Sequence, residues 1–354
     1  MIYGAGVPFN VAVTIAVILG LGWLVYVIAN LRTSRREAGA EIALAPNRKE
    51  YYDDEALEGR VLERTQFFGL LTLVVVAISL PLVWILEPTR QARAVASYDR
   101  RFAAWGKLDF DTTANGGFNC AGCHGGLKAG GGNAPYTVTD PRTGEVKSVT
   151  WTAPALNTVL YRFSTDEVIF VLTYGRPFSP MSPWGVAGGG PMDDQQLTNL
   201  VAYIKSITIP QDGCTQTNPL CKATDGKLPK ATNDAIEARA EALVANGTYK
   251  TLGEALFNND LNGGAYSCAR CHTKGWSYGD PQASGGGAMG PNLTNGDTVR
   301  AFPVESDHAA FICSGSELGK KYGQQGQGSG RMPAFCGLLT DAQIQAIVQY
   351  ERGL

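Results

Sequence analysis

The pattern Cys-x-x-Cys-His occurs twice in this chain, and it constrains the fold more than any other feature of the sequence. The copies are Cys120-Ala121-Gly122-Cys123-His124 and Cys268-Ala269-Arg270-Cys271-His272. This spacing attaches haem covalently: the two thiols add to the porphyrin vinyl groups, and the adjacent histidine ligates the iron. A zinc site would need four nitrogen or sulfur ligands, and the 354 residues include only three His. The sequence therefore predicts two haem c groups. Their attachment thiols would be Cys120, Cys123, Cys268 and Cys271, and their proximal iron ligands would be His124 and His272.

The second axial ligand of each iron is expected to be a methionine. The third histidine, His308, lies in an amphipathic stretch, where a surface or partly buried side chain is expected. Met181 and Met332 lie 57 and 60 residues after the proximal histidines, in loops rich in Gly and Pro that cannot continue a helix. Met192 is the alternative to Met181, although a packing role is expected for it. Met289 follows the second motif too closely to reach the opposite haem face, so a core position is expected.

Two long apolar stretches precede the motifs. Residues 1–31 contain no charged side chain, and residues 67–86 form a second uncharged run of 20 residues. About 20 helical residues span a bilayer core of about 30 Å. The sequence therefore predicts a membrane anchor over residues 1–95, with helices at about 9–31 and 66–87. A cleaved signal peptide is disfavoured, because no Lys or Arg precedes the first stretch.

The charges around these stretches predict their orientation. The connecting loop, residues 32–65, holds seven Lys and Arg, whereas none precedes the first stretch. Positive loops stay in the cytoplasm. We therefore expect a two-pass protein of the bacterial cell membrane, with both termini and the haem-bearing region on the outer, periplasmic side.

The four cysteines outside the motifs are expected to form disulfides in that exported compartment, with free buried thiols as the alternative. Four cysteines permit three connectivities, of which the following one is expected. A Cys214–Cys221 bridge would close a small ring around a Pro-containing loop. A Cys313–Cys336 bridge would flank Met332 and tie its loop to the preceding helix.

The region after the membrane anchor has an internal duplication. Each Met loop is followed by an amphipathic segment with an Asp near its start, at residues 194–203 and 341–350. The residues before each motif are also alike, at 115–120 and 262–268. The sequence therefore predicts two modules, and their bounds would be 96–210 for the first, 211–240 for a linker and 241–354 for the second.

This arrangement resembles the class I cytochrome c family over residues 98–208 and 241–354, with the haem motif, the Met loop and a final Tyr-bearing helix in place. The resemblance implies an all-α chain, in which a two-helix transmembrane hairpin precedes two tandem small domains, each wrapped around a haem. It also implies that the carbonyl groups of Pro154 and Pro291 bind the second nitrogen of the proximal histidines, which fixes the tautomer of each ring.

A function in electron transfer follows from the ligands. A His/Met pair raises the reduction potential of haem iron. With both axial positions filled, no site remains for oxygen or peroxide, so an electron relay is expected, without catalysis by this chain alone. Arg270 and Arg331, beside Cys271 and Met332, are expected to raise the potential of the second haem relative to the first.

The chain is similar to the cytochrome c subunit of a bacterial bc-type quinol-oxidising complex. That similarity implies a cytochrome b and a Rieske protein as membrane partners, and delivery of electrons toward a terminal oxidase. One alternative is a cytochrome c subunit integral to a haem–copper oxidase, although His308 alone cannot supply a binuclear copper site. Another is a dihaem peroxidase, in which one iron must open. The net charge of −2 gives no reason to expect a nucleic-acid partner.

Overall fold

The computed structural model is mostly helical. It describes residues 9–37, 59–140, 143–177, 179–216, 218–221, 226–259, 267–317, 319–326 and 332–354. Arg331 and most of the predicted cytoplasmic loop lie outside these residues, as does nearly all of the repeated segment before the second motif. The chain divides into two units, Met1–Ala96 and Ser97–Leu354.

Two long helices precede the haem motifs. Helix α1 spans Phe9–Glu37 and helix α2 spans Arg60–Phe110. The stretch Leu62–Phe110 is long and apolar enough to cross a membrane, whereas α1 contributes a shorter apolar stretch, Val17–Ala29. The predicted end of the second helix near residue 87 is wrong. The helix continues to Phe110 through Pro88, because the following residues are mainly strong helix formers such as Ala, Arg and Gln.

The unit Ser97–Leu354 contains two hydrophobic cores. We call the structure around each core a lobe: the last helix of the first lobe ends at Ile207, and the first helix of the second lobe begins at Lys230. In the first lobe the end of α2 packs with α3 (Cys120–His124), α4 (Thr165–Tyr174) and α5 (Asp194–Ile207). Capping boxes begin α4 and α5: Ser164 Oγ accepts from the Glu167 amide, and Asp193 Oδ1 accepts from the Gln196 amide.

The second lobe is built from six α-helices of the described residues around its own core. They are α6 (Lys230–Ala245), α7 (Leu252–Asn258), α8 (Ala269–His272), α9 (Asp297–Ala301), α10 (Glu305–Ser314) and α11 (Asp341–Arg352). The second lobe begins earlier than residue 241, the predicted domain start, because Ile236 and Ala240 of α6 are fully buried in its core. Most of this helix was assigned to the linker at 211–240, because its apolar face is narrow.

A β-hairpin interrupts the helices of the first lobe, so the expectation of a purely α chain is wrong at this point. Strands β1 (Gly132–Thr139) and β2 (Val146–Ala153) pair antiparallel, with Gly132 opposite Ala153. The signal was present in the sequence: apolar residues alternate with Thr at 136–139 and 149–152, all of them β-branched or aromatic, and a Pro and a Gly lie between the strands. The glycine-rich start of β1 obscured it.

Candidate haem sites

The first motif occupies α3 and is held by the base of the β-hairpin. The His124 carbonyl accepts from the Gly131 amide at 3.1 Å. This approach requires glycine, because a Cβ on Gly125 would lie 2.1 Å from the Gly131 oxygen and Gly125 has a φ of +85°. The ring nitrogen His124 Nδ1 lies 2.9 Å from the Pro154 carbonyl oxygen, just after β2. The hairpin thus fixes both the backbone and the ring of His124.

The second motif has the same ring contact in a different setting. His272 Nδ1 lies 2.9 Å from the Pro291 carbonyl oxygen. The loop passes so close that a Cβ on Gly290 would lie 2.6 Å from the His272 ring. The Gly290 amide donates to the Cys271 carbonyl at 2.7 Å. In both motifs the Nδ1 contact leaves Nε2 as the nitrogen available to a metal, the arrangement that the resemblance implies for Pro154 and Pro291.

Burial of the two motifs shifts the pKa of their thiols and of the His124 ring. Burial raises the pKa of the Cys120 thiol to about 12 and raises the pKa of Cys268 well above its usual value. Redox-active Cys-x-x-Cys pairs have a lowered thiol pKa, so these pairs are poorly suited to thiol–disulfide exchange. Burial also lowers the pKa of His124, and the Arg270 charge adds to this effect, whereas the Pro154 carbonyl opposes it. A neutral imidazole is the form that ligates iron.

The two Met loops are attached to the protein in the same way. Helices α4 and α10 end at Gly175 and Gly315, with φ, ψ of +71°, −167° and +69°, −167°. The amide after each glycine donates to the methionine carbonyl, from Arg176 to Met181 at 2.8 Å and from Ser316 to Met332 at 2.9 Å. A Cβ on either glycine would lie 2.5 or 2.6 Å from that carbonyl oxygen. Glycine is therefore required at both helix ends.

The two methionines of the first lobe have different surroundings. Met181 is partly buried at the edge of the core, whereas Met192 is fully buried within it. Met192 immediately precedes Asp193, the N-cap of α5. Leu339 has the same place before Thr340, the N-cap of α11, and is likewise buried. Met192 is thus in the position of a packing residue.

Two further side chains differ from expectation. His308 is only 3% exposed, and its Nε2 lies 2.9 Å from Glu351 Oε2, because α10 packs against α11. The expectation of a surface or partly buried histidine is therefore wrong. Met289 is 38% exposed and not part of the core, because it lies on the loop that covers His272.

The comparisons with known proteins match each lobe separately. The family model described as Cytochrome c matches residues 106–208. The model described as Cytochrome C oxidase, cbb3-type, subunit III matches residues 251–350. The chain carries cytochrome c domains. No match was found among curated proteins or among solved structures.

Cytochrome c domains bind haem covalently and transfer electrons, so the protein is an electron-transfer haem protein. The donor set fits that cofactor. Cys120, Cys123 and Cys268 have free thiols, and both motif histidines present Nε2. Among the described residues, no group of three or more His, Cys, Asp and Glu is placed to hold a metal without a porphyrin.

One disulfide lies between the two matched regions and the other lies within the second domain. The structure contains Cys214–Cys221 and Cys313–Cys336, the two pairs expected from the sequence. Cys313 belongs to α10, and its carbonyl accepts from the Cys336 amide at 3.2 Å. The second bridge therefore joins α10 to the chain just after Met332.

Sequence reasoning missed Arg162, which is 3% exposed in the first cytochrome c domain. Its Nη2 donates to the Ala155 carbonyl at 3.1 Å, next to the proline that contacts His124. No local sequence pattern distinguishes this arginine from an exposed one, because its burial results from tertiary contacts.

Proposed function

We propose that this protein is a membrane-anchored dihaem cytochrome c that relays electrons within a respiratory complex. The observation that carries the proposal is the repeated geometry of the two lobes. Each lobe has a Cys-x-x-Cys-His motif whose Nδ1 contacts a proline carbonyl, and each has a Met loop fixed to a glycine-ended helix. One haem c in each of two tandem class I domains accounts for both sets.

The axial ligands proposed for the two irons are His124 with Met181 and His272 with Met332. Met181 and Met332 are both partly buried, next to a core, and are held through equivalent carbonyl hydrogen bonds. The position of Met192, equivalent to that of the buried Leu339, supports a packing role for it. When bound, a His/Met haem supplies a one-electron carrier of raised potential. With His124, Met181, His272 and Met332 as ligands, no axial position would remain for a substrate.

The anchor proposed is a two-pass hairpin that holds the haem domains on the outer face of the bacterial membrane. Helix α2 supports it with a continuous row of exposed apolar side chains, including Leu70, Leu73 and Leu80. An exposed apolar stretch of this length suits the hydrocarbon core of a bilayer. The two disulfides are consistent with an oxidising compartment.

Two kinds of complex can be distinguished by their subunits. The first is the bc-type quinol-oxidising complex that the sequence resembles, with a cytochrome b and a Rieske protein as partners and a terminal oxidase downstream. The second is a haem–copper oxidase to which this chain belongs as a cytochrome c subunit. The match of the second domain to a cbb3-type subunit III model favours the oxidase.

Two measurements test the proposal. Haem quantitation after denaturation, with mass analysis of the chain, should find two haems, one on each motif. Affinity purification of the complex from detergent-solubilised membranes should recover a haem–copper subunit, with or without cytochrome b and a Rieske protein. A single haem per chain, or a chain that leaves the membrane with alkaline carbonate, would contradict it.

A further inference from the structure

The β-hairpin of the first lobe contacts both haem motifs. Its base holds the first motif, through the Gly131 amide and the Pro154 carbonyl. Its strands lie on the second lobe, where the rings of Trp151 and Tyr278 are 5.6 Å apart. Lys147 Nζ also lies 3.2 Å from Asp280 Oδ2. The hairpin is therefore one of the elements that join the two haem regions.

Arg270 is the point at which the second motif meets this hairpin. It is only 4% exposed, and its guanidinium lies 5.0 Å from the centre of the Trp276 ring. Its Nη1 donates a hydrogen bond to the carbonyl of Thr152 in β2. An arginine that belongs by sequence to the second motif is thus bonded to the first lobe.

A continuous bonded connection between the two proximal histidines results. It begins with the contact of His124 Nδ1 with the Pro154 carbonyl and follows two residues of backbone to Thr152. It crosses to Arg270 through the Thr152 hydrogen bond and reaches His272 two residues later. The proximal side of each site is therefore linked to the same buried guanidinium.

We propose that Arg270 is shared by the two haem sites and sets the reduction potential of both. This inference rests on the proposed function, because it requires a haem in each lobe. A guanidinium remains charged at any physiological pH, and burial strengthens its field. Reduction lowers the positive charge of each haem iron by one, so a nearby fixed cation favours the ferrous form. Arg270 is a tuning and positioning residue that acts through the protein and does not ligate iron.

Redox titration of the purified full chain in detergent tests this assignment. Arg270→Gln and Arg270→Leu both remove the charge, and the apolar variant suits a buried position. Both are expected to lower both midpoint potentials. Because the charge is buried, these shifts should persist at high salt. Repeating the titration in a Met181→His background, which moves the wave of the first haem, assigns each midpoint to its lobe.

Two controls separate charge from structure. Arg300→Gln removes an exposed arginine of the same lobe, paired with Asp297 three residues earlier, and is expected to move neither midpoint. Arg270→Lys keeps the positive charge and is expected to leave both midpoints near the wild-type values. If the lysine variant falls as far as the glutamine variant, the charge does not set the potentials and the inference is overturned.

The remaining outcomes distinguish this inference from the function on which it rests. Two haems per chain, with Arg270→Gln lowering only the second midpoint or neither, would overturn the shared role and leave the dihaem proposal intact. One haem per wild-type chain would overturn the dihaem proposal and this inference together. The shared role is supported if both midpoints fall in Arg270→Gln and Arg270→Leu but not in Arg270→Lys.

Discussion

Gly253 of α7 lies directly against the carbonyl of Ala346 in α11: a Cβ on this glycine would be 1.9 Å from that oxygen. Gly106 of α2 has the same relation to the Asn199 carbonyl in α5, also at 1.9 Å. Each crossing brings two aromatic rings to 5.2 Å, and the pairs are Phe257 with Tyr350 and Phe110 with Tyr203. The last helix of each lobe, α5 in the first and α11 in the second, therefore packs against a glycine at a point where no side chain fits.

Gly253→Ala is expected to destabilise the second lobe. The added methyl group must push the two helices apart, and overpacking of this kind typically costs about 1–3 kcal/mol of the free energy of unfolding. Denaturant unfolding followed by circular dichroism in the Soret region measures the loss. Gly130→Ala is the matched control, because nothing lies within 4 Å of its Cβ position and its φ is not left-handed. Equal stability of the two variants would show that the crossing tolerates a side chain.

Substitution of the two methionines of the first lobe should have opposite consequences. Met181→Ala is expected to remove the sulfur-to-iron charge-transfer absorption of the first haem and lower its potential. Met192→Ala is expected to keep that absorption but to lower the free energy of unfolding by about 2–5 kcal/mol, because the side chain is fully buried. Visible absorption of the ferric protein and denaturant unfolding measure the two effects. Loss of the absorption in Met192→Ala alone would reverse the assignment.

Removal of the disulfide beside Met332 should loosen the second Met loop. Cys313 and Cys336 are 23 residues apart in the sequence, and a loop of that size contributes about 3 kcal/mol in the chain-entropy model. The double variant Cys313→Ser/Cys336→Ser is expected to unfold at lower denaturant and to exchange its methionine for added imidazole faster. Removal of the Cys214–Cys221 bridge, whose cysteines are only 7 residues apart, is the control. This bridge lies outside the Met332 loop, so its removal should not alter ligand exchange.

Tyr161 should produce an alkaline loss of stability. Burial, with a smaller contribution from the Asp212 charge, raises its pKa to about 12. The unfolded phenol titrates near pH 10. The stabilisation is therefore complete below about pH 10 and is lost as the pH rises toward 12. Tyr161→Phe also removes the 2.6 Å hydrogen bond to the Ile209 carbonyl, which costs about 0.5–1.5 kcal/mol. The free energy of unfolding should fall less steeply between pH 8 and 12 in the variant than in the wild type. An identical dependence on pH would contradict the assignment.

Much of the candidate site could be predicted from the sequence, because the chemistry of haem attachment is local. Cys-x-x-Cys-His occupies a single helical turn, so its spacing needs no tertiary information. The helices after each Met loop were readable for the same reason, since their caps and apolar faces are short-range patterns. The disulfide pairs followed from an inventory of four cysteines in two separated groups.

Features that depend on contacts between distant segments were not readable. The burial of His308 depends on Glu351, 43 residues away, and the burial of Ile236 depends on a core assembled from many segments. The hairpin had a local signal, but its contacts with Tyr278 and Asp280 of the second lobe depend on tertiary packing.

The sequence alone determined the two Cys-x-x-Cys-His motifs, the methionine inventory and the two long apolar stretches, because each depends on residue identity and short spacing. Tertiary structure supports the choice of Met181 as the proposed ligand, because it buries Met192 in the core and leaves Met181 beside it. Only the tertiary structure placed Arg270, assigned by its position to the second motif, against Thr152 of the first lobe. Contacts across 118 residues arise from packing of the two lobes, and no local pattern encodes them.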